Sequence, residues 1–138
     1  MRPLLVVSLA LAALVTGQLA AAAELGPGRT ALRIAYWEDG NEPETKIVWT
    51  LTCKPTGGNH PSRTVACRRL AAGGRALFAP VPKNAVCTMI SGGPQVARVV
   101  GILAGRRLWA TFSRENGCQI TRWNRLSPWL LPGGGVAA

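Results

Sequence analysis

Four cysteines, at positions 53, 67, 87 and 118, constrain the fold of this chain more than any other feature of its sequence. In a small exported domain, an even number of cysteines is typical of structural disulfide bonds, each of which brings two separate stretches of chain together. Three pairings are open, and the most local one, Cys53–Cys67 with Cys87–Cys118, is favoured. Zinc is a weak alternative because the chain has no Cys-x-x-Cys pair and His60 is its only histidine. We expect two disulfides, no metal and no other cofactor.

The N-terminus has the pattern of a secretory signal peptide. Arg2 supplies a positive charge, residues 4–15 are apolar apart from one serine, and small residues at 20–23 precede an acid. The apolar run is shorter than the ~20 residues that span a bilayer, so a retained N-terminal anchor is only the alternative. We expect a signal peptide at 1–23, one domain at 24–132 and a disordered, Gly-rich tail at 133–138. The product is then extracellular and not attached to a membrane.

The charge of the chain is strongly positive. Lysine and arginine number 16 against 6 acids, and five of these acids lie before residue 45. Such a chain has the charge to bind anionic lipid, a cell-wall polymer or nucleic acid. Because the arginines are scattered and do not line one helical face, an ordinary solvated surface is the favoured interpretation. No nucleic-acid partner is expected, and binding to the cell envelope or to anionic lipid is kept as the alternative function.

The order of predicted elements indicates an α+β domain built on an antiparallel sheet. Alternating residues predict a strand at Thr30–Trp37, and β-branched and aromatic residues predict another at Lys46–Cys53. His60-Pro61-Ser62 is typical of a helix start, and Gly73-Gly74 of a helix end. Two further strands, 96–104 and 107–113, flank Gly105-Arg106 as a hairpin. The mixed C-terminal segment is expected to add an edge strand around residues 129–131.

The sequence argues against catalysis. A Ser-His-Asp arrangement would require His60 as its base, but this histidine precedes a proline at a helix start and is interpreted as a capping or packing residue. Pairs of carboxylates are confined to residues 38–44, with Glu115 as the only distant partner. There is no Gly-rich phosphate loop and no phosphate-binding lysine motif. We therefore do not expect an enzyme.

The apolar segment around Met89 has two interpretations. It lies between Pro80-Val81-Pro82 and Gly92-Gly93-Pro94, so strong turn signals bracket it. Composition alone favours an ordinary buried strand in which Met89 fills the core. The alternative is an extended loop held by Cys87, with Met89 and Ile90 exposed.

Several of these motifs, in this order, resemble those of the bacterial subtilisin inhibitors of the Streptomyces type. The resemblance covers about residues 30–131, and the ordered set is specific although each motif alone is weak. The motifs are Leu51-Thr52-Cys53 before a Pro/Gly loop, Asn59-His60-Pro61 before a helix, Ala66-Cys67 with Leu70-Ala71-Ala72-Gly73, Val86-Cys87-Thr88-Met89-Ile90, Gly105-Arg106-Arg107 and Asn116-Gly117-Cys118.

The resemblance implies a serine protease inhibitor that presents a substrate-like loop to subtilisin-like or chymotrypsin-like enzymes. It implies a five-stranded antiparallel sheet with two helices, the pairing Cys53–Cys67 and Cys87–Cys118, and a homodimer. The reactive bond would be Met89–Ile90. The roles it implies are P4 to P1 for Val86, Cys87, Thr88 and Met89, the first primed positions for Ile90 and Ser91, and loop support for Asn116.

Three positions depart from the pattern of that family. Thr88 stands where proline is usual, and Gly92-Gly93 replaces larger residues on the primed side. Leu103 stands where the family often has an aromatic residue on the sheet face that is linked to dimerisation.

Overall fold

The computed structural model describes residues 28–133, whose backbone is organised around one four-stranded antiparallel sheet. The strands are β1 (Thr30–Trp37), β2 (Lys46–Cys53), β3 (Val96–Leu103) and β4 (Arg106–Phe112), in the spatial order β2-β1-β3-β4. All four predicted strands of this sheet are confirmed, to within one residue at each end. The predicted signal peptide and all but the first residue of the predicted tail lie outside the described residues.

Alternation along the strands gives the sheet one covered face. Leu32 lies opposite Leu51, and Ile34 opposite both Trp49 and Val99, so these side chains point to the same side. They are joined there by Phe112 of β4, and all but the half-buried Trp49 are buried. The hydrophobic core therefore lies on one side of the sheet only.

Two helices pack on this covered face. Helix α1 (Arg63–Gly73) contributes Ala66 and Leu70 to the core, and helix α2 (Gly117–Asn124) contributes Trp123. The predicted glycine stop of α1 is confirmed, since Gly74 has φ of 56°, a conformation that few other residues adopt. A 3-10 turn at Gly74–Phe78 follows α1 and buries Phe78. The α+β class and the two helices are thus confirmed.

The described residues form four strands, and the implied fifth strand is wrong. The predicted edge strand at 129–131 is instead a series of turns, in which the amides of Leu130 and Leu131 both donate to the carbonyl of Leu126. Pro128 and Pro132 lack the N–H groups that a strand needs. Trp129, Leu130 and Leu131 are apolar because they fill the core under the sheet, and not because they alternate between two faces.

Leu103 is buried in this core. Leu103 follows Val99 by four residues along β3, so both side chains point to the covered face. It is therefore not on a sheet face available to a second copy. The position that the sequence analysis links to dimerisation therefore belongs to the core, and the homodimer stays a prediction.

The structure contains the disulfides Cys53–Cys67 and Cys87–Cys118. The first joins the end of β2 to α1, and the second joins the Met89 segment to α2. The most local pairing, which the resemblance also implies, is confirmed. Each bond closes a loop whose restriction in the unfolded chain stabilises the fold by about 3–4 kcal/mol.

A buried arginine connects three parts of the fold. The Arg122 guanidinium lies 4.1 Å from the centre of the Phe112 ring and donates to the carbonyls of Phe78, Ala79 and Thr111. Burial, with a smaller contribution from the neighbouring Arg125, lowers the pKa of Arg122. Carbonyl dipoles therefore take the place of a carboxylate partner, and α2 is held to β4 and to the chain that follows the 3-10 turn.

His60 is a packing residue, as expected. Its Nδ1 accepts from the backbone amide of Ser62 at 3.1 Å, and its Nε2 lies 3.0 Å from the carbonyl of Leu130. An Nδ1 that accepts cannot carry a proton, so the ring is neutral and Nε2–H is the donor. Desolvation lowers the pKa of His60, and the bond to Leu130 only partly opposes this shift.

His60 makes the stability of the protein depend on pH. Because its folded-state pKa lies below the ordinary value of 6.5, the unfolded chain binds a proton that the folded chain rejects. We expect the free energy of unfolding, measured by urea titration, to fall as pH falls from 7.5 through 6.5 to 5.5. In His60→Gln, which keeps a donor for Leu130 but does not titrate, the protein should be less stable at pH 7.5 and this slope should disappear. Equal slopes in both proteins would contradict the assignment.

Candidate functional site

The segment around Met89 is an exposed loop. Residues 85–91 have no regular secondary structure, and the side chains of Val86, Met89 and Ile90 are 99%, 87% and 67% exposed. The buried-strand interpretation that composition favours is therefore wrong. Three large apolar side chains close together on a surface are typical of a site of interaction, because their exposure to water is unfavourable.

Two bonds hold the chain on the N-terminal side of Met89. The Cys87–Cys118 disulfide attaches it to the first turn of α2. Next to it, the amide of Gly117 donates to the carbonyl of Thr88 at 2.9 Å. A Cβ at position 117 would run into the Thr88 hydroxyl, so glycine there permits this close approach. The backbone is thus fixed at the two residues that precede Met89.

The chain is held again on the C-terminal side of Ile90. The amide of Gly92 donates to the carbonyl of Arg114 at 2.7 Å, and the carbonyl of Pro94 accepts from Gly40 at 2.9 Å. Gly93 has φ of 131°, a conformation reserved for glycine, and lets the chain turn from the loop toward β3. The glycines that depart from the family pattern therefore form the second attachment of the loop.

Arg114 is a site residue that the sequence did not indicate. Its side chain is buried beneath Gly92-Gly93, and one guanidinium nitrogen donates to Gln95 at 3.1 Å. Its Nε has no hydrogen-bond partner within the described part of the chain. Arginine is a surface residue in most contexts, and nothing in the sequence near position 114 distinguishes it from the other arginines.

Asn116 lies beside the loop but contacts it through its neighbours. Its side-chain oxygen accepts from the amide of Gln119 at 3.0 Å and so caps α2. No hydrogen bond joins this side chain to residues 86–91 in the described structure. The cap instead orients the first turn of α2, from which Gly117 and Cys118 reach the loop.

The loop carries no charged side chain. Residues 85–91 include no acid, base or histidine, and Ser91 is exposed. Within residues 28–133, no group of three or more His, Cys, Asp or Glu side chains is placed to hold a metal ion. The described residues also form no helix long and apolar enough to cross a membrane. This arrangement presents a rigid, uncharged stretch of peptide backbone with apolar side chains.

A sequence model described as subtilisin inhibitor-like matches residues 29–116, well over half of the chain. The chain belongs to this family. The match includes the exposed loop at residues 85–91 and ends at residue 116, two residues before Cys118. A subtilisin inhibitor of Streptomyces violaceus is 32% identical over 95 residues, which are 67% of this chain and 64% of that protein. The chain thus covers slightly less than two thirds of the length of this relative.

The fold is similar to that of a solved structure, Streptomyces caespitosus sermetstatin in complex with Bacillus licheniformis subtilisin. The two chains are 27% identical and superpose with a TM-score of 0.51, over 77% of this chain and 100% of sermetstatin. Sermetstatin, a chain of similar fold, therefore binds a subtilisin.

The two attachments of this subtilisin inhibitor-like loop predict a pattern of amide exchange. We expect the amides of Gly92 and Gly117 to be protected, because each donates to a backbone carbonyl. The amides of Met89 and Ile90 should exchange near the rate of an unstructured peptide. Hydrogen exchange followed by NMR distinguishes these sites. Protection of Met89 equal to that of the central strand β1 would contradict the exposed-loop description.

Proposed function

We propose that this protein inhibits serine proteases by offering them the Met89–Ile90 bond as a substrate would. One observation carries the proposal: an exposed apolar segment is attached to the domain on both sides of the Met89–Ile90 bond. The disulfide and the Gly117 amide hold residues 87 and 88, and the Arg114 carbonyl holds residue 92. Only Met89, Ile90 and Ser91 lie between the attachments.

The mechanism follows from an extended backbone bound in a protease cleft. Peptide groups of residues 86–89 would pair with the edges of the cleft as an added strand. The carbonyl of Met89 would then enter the oxyanion hole, next to the catalytic serine. Val86, Cys87, Thr88 and Met89 take the roles P4 to P1, and Ile90 and Ser91 occupy the first primed positions.

Attachment on both sides explains why the loop would inhibit the protease and would not be digested rapidly by it. A loop that already has its bound conformation loses little entropy on binding, so more of the contact energy appears as affinity. After cleavage, residue 88 would stay bonded to α2 and residue 92 to Arg114. The new termini would remain close together, and religation would compete with release.

The residue at P1 sets the class of target. Met89 is long, flexible and uncharged, so it suits an apolar S1 pocket. Subtilisin-like proteases are the first expected target and chymotrypsin-like proteases the second, whereas trypsin should be inhibited weakly. Small Gly92 adds little contact beyond the first primed residues, so specificity should depend mainly on Val86 to Met89.

Family membership and the fold shared with a subtilisin-binding inhibitor support the proposal. The protein would act as a binding partner and not as an enzyme. We also propose that residues 1–23 direct secretion and that 24–132 form the extracellular inhibitor domain. The two disulfides support this location, since such bonds persist in oxidising compartments. The homodimer implied by the resemblance stays a prediction.

Replacing Met89 tests the role of P1. The wild-type protein should titrate subtilisin stoichiometrically in a peptide-hydrolysis assay. In Met89→Lys, a charge would enter an apolar pocket, and subtilisin inhibition should weaken by roughly tenfold or more. The same variant should inhibit trypsin better, because the S1 pocket of trypsin is acidic.

Val86→Lys is the matched control, because Val86 is at least as exposed as Met89 and the added charge is the same. This variant should gain no inhibition of trypsin. If micromolar wild-type protein left subtilisin fully active, the proposed function would be wrong. If Met89→Lys and Val86→Lys behaved alike, Met89 would not be P1.

Removing the loop disulfide tests the role of attachment. The double variant Cys87→Ser/Cys118→Ser should still bind subtilisin at first, but it should then be cleaved and lose inhibition with time. Because residue 87 is then no longer bonded to α2, the cleaved ends can separate. The time course of inhibition and mass analysis of the fragments would show this change.

Cys53→Ser/Cys67→Ser controls for lost stability. It removes a disulfide that closes a shorter loop, and the unfolding free energy should fall by about 3 kcal/mol. Since this bond lies away from residues 86–92, inhibition should persist at temperatures at which the variant stays folded. Equal loss of inhibition in the two double variants would refute a specific role for Cys87–Cys118.

A further inference from the structure

Residues 80–86, called here the Lys83 segment, lead from the 3-10 turn into the Met89 loop. Every residue of the segment is exposed except the half-buried Val81. Its two prolines have no N–H to donate. Within the described structure, the one backbone amide of the segment that donates is that of Ala85, to the carbonyl of Pro82 at 3.0 Å. Lys83 and Asn84 are the central residues of this turn. No amide of the segment is therefore bonded to the rest of the described domain.

The nearest attachments of the Lys83 segment lie at its two ends. Before it, the carbonyl of Ala79 accepts from Nε of Arg122 at 2.8 Å, and after it, Cys87 is bonded to Cys118 on α2. A cleft of about 220 Å³ lies between the segment and α2. More residues lie between these attachments than between those on either side of Met89–Ile90. The Lys83 segment can therefore leave its turn more easily than the Met89 loop can change its conformation.

The Lys83 segment has the properties of a substrate for trypsin-like proteases. A serine protease binds its substrate as an extended strand, so the residues around the bond must first leave their own hydrogen bonds. In this segment, only the hydrogen bond between Ala85 and Pro82 has to open. The Lys83 ammonium then fits the acidic S1 pocket of trypsin. Since Met89 is uncharged, these proteases are not the ones that the Met89 loop is expected to block.

The other basic residues outside the helices and strands are less suitable for such cleavage. Within residues 28–133 they are Arg29, Lys54, Arg114 and Arg125. Lys54 is followed by a proline, and the bond between them is a tertiary amide, which trypsin-like enzymes cleave poorly. Arg114 is buried and Arg29 half-buried. The amide of Arg125 donates to a carbonyl of α2, and the leucine after it is buried. Lys83 is therefore the favoured site in this part of the chain.

A cut after Lys83 would divide the chain into two parts that neither disulfide joins. The part that ends at Lys83 contains β1, β2, α1 and the Cys53–Cys67 bond. The part that begins at Asn84 contains β3, β4, α2 and the Cys87–Cys118 bond. A cut at Met89–Ile90 has a different result, because the two cysteines of the second bond then lie in different parts and join them covalently.

Only noncovalent contacts would hold the two parts together. Strand β1 pairs with β3 from Ala31 to Trp37, and His60 lies against the carbonyl of Leu130. An assembly of this kind dissociates on dilution by mass action. Alone, the second part would keep one two-stranded hairpin and one helix, and an isolated hairpin is marginally stable at best. Helix α2 would then lose the packing that supports the Met89 loop.

We propose that Lys83–Asn84 is a cleavage site for trypsin-like proteases and that hydrolysis of this bond inactivates the inhibitor. Water adds across the bond and leaves a carboxylate on Lys83 and an amine on Asn84, and the two parts then separate. Proteases of one specificity thereby release those of another from inhibition. The loss of inhibition rests on the proposed function, whereas the cut and the separation do not.

Limited digestion of the disulfide-bonded protein with trypsin tests the position of the cut. The first product should have a new N-terminus at Asn84, and denaturing electrophoresis without a reductant should resolve it into two bands. Protein cut at Met89–Ile90 by subtilisin should give one band under the same conditions. In Lys83→Gln the first cut should be at least about tenfold slower, because the remaining sites must first unfold locally. A first cut at another residue of the wild-type protein would overturn the proposal.

Two further variants control for the change at Lys83. Lys83→Arg keeps a side chain that fits the S1 pocket of trypsin, and it should be cut as fast as the wild-type protein. Lys54→Gln removes another exposed lysine outside the helices and strands, and it should leave the rate unchanged. Equal slowing in Lys54→Gln and Lys83→Gln would show a general effect of charge and would overturn the assignment of the site.

Thermal unfolding tests the separation of the two parts. Protein cut at Lys83–Asn84 should unfold at a lower temperature than the intact protein, and the difference should widen on dilution. The cut protein should also lose its inhibition of subtilisin when it is diluted to nanomolar concentration. A cut protein that unfolds and inhibits as the intact protein does, at every concentration, would overturn the proposed inactivation.

These measurements separate the inference from the proposed function. An intact protein that leaves subtilisin active would refute the proposed function and, with it, the regulation of inhibition. The digestion and the unfolding would still decide the cleavage site and the separation, because neither measurement uses subtilisin inhibition. An intact inhibitor that trypsin does not cut at Lys83 would overturn the inference and leave the proposed function in place.

Discussion

The position of the loop depends on the buried guanidinium of Arg122. This one group donates to the carbonyls of Phe78 and Ala79, which follow α1, and to the carbonyl of Thr111 on β4. It also lies against the ring of Phe112. Charged groups are buried only where hydrogen bonds compensate for lost hydration, and here three carbonyls do so. The chain that leaves the 3-10 turn at Ala79 is thereby held against α2. Six residues after Ala79 the exposed loop begins, and it returns to the same helix through Cys87–Cys118.

The two layers of the protein have different roles. The covered face of the sheet and the helices form the core, and the first turn of α2 extends from that core to hold residues 87 and 88. Arg114, which connects β4 to α2, holds residue 92. The loop therefore has few contacts of its own and takes its rigidity from residues that are fixed by the core. Its apolar side chains are exposed and do not belong to the core.

Much of the fold could be predicted because its signals are local. The strands β1 and β2 match their predicted bounds, since alternation and β-branched residues act within a single strand. The apolar segment at 129–131 predicts a strand, and this prediction is wrong. Its apolar residues are buried by contacts with distant parts of the chain, and the carbonyl of Leu130 meets His60, 70 residues earlier. Local apolarity indicates burial but does not distinguish a strand from packed turns.

The sequence by itself determined the four strands of the sheet and the helix stop at Gly73-Gly74, and it favoured the most local of three possible disulfide pairings. Only the tertiary structure decided that Met89 is exposed and that Arg114 and Arg122 are buried. The physical reason is that burial depends on which residues distant in sequence come together. Gly117 reaches Thr88, and Arg114 reaches Gly92, across more than 20 residues of chain. In the folded protein the sheet and α2 hold both partners of these contacts in place.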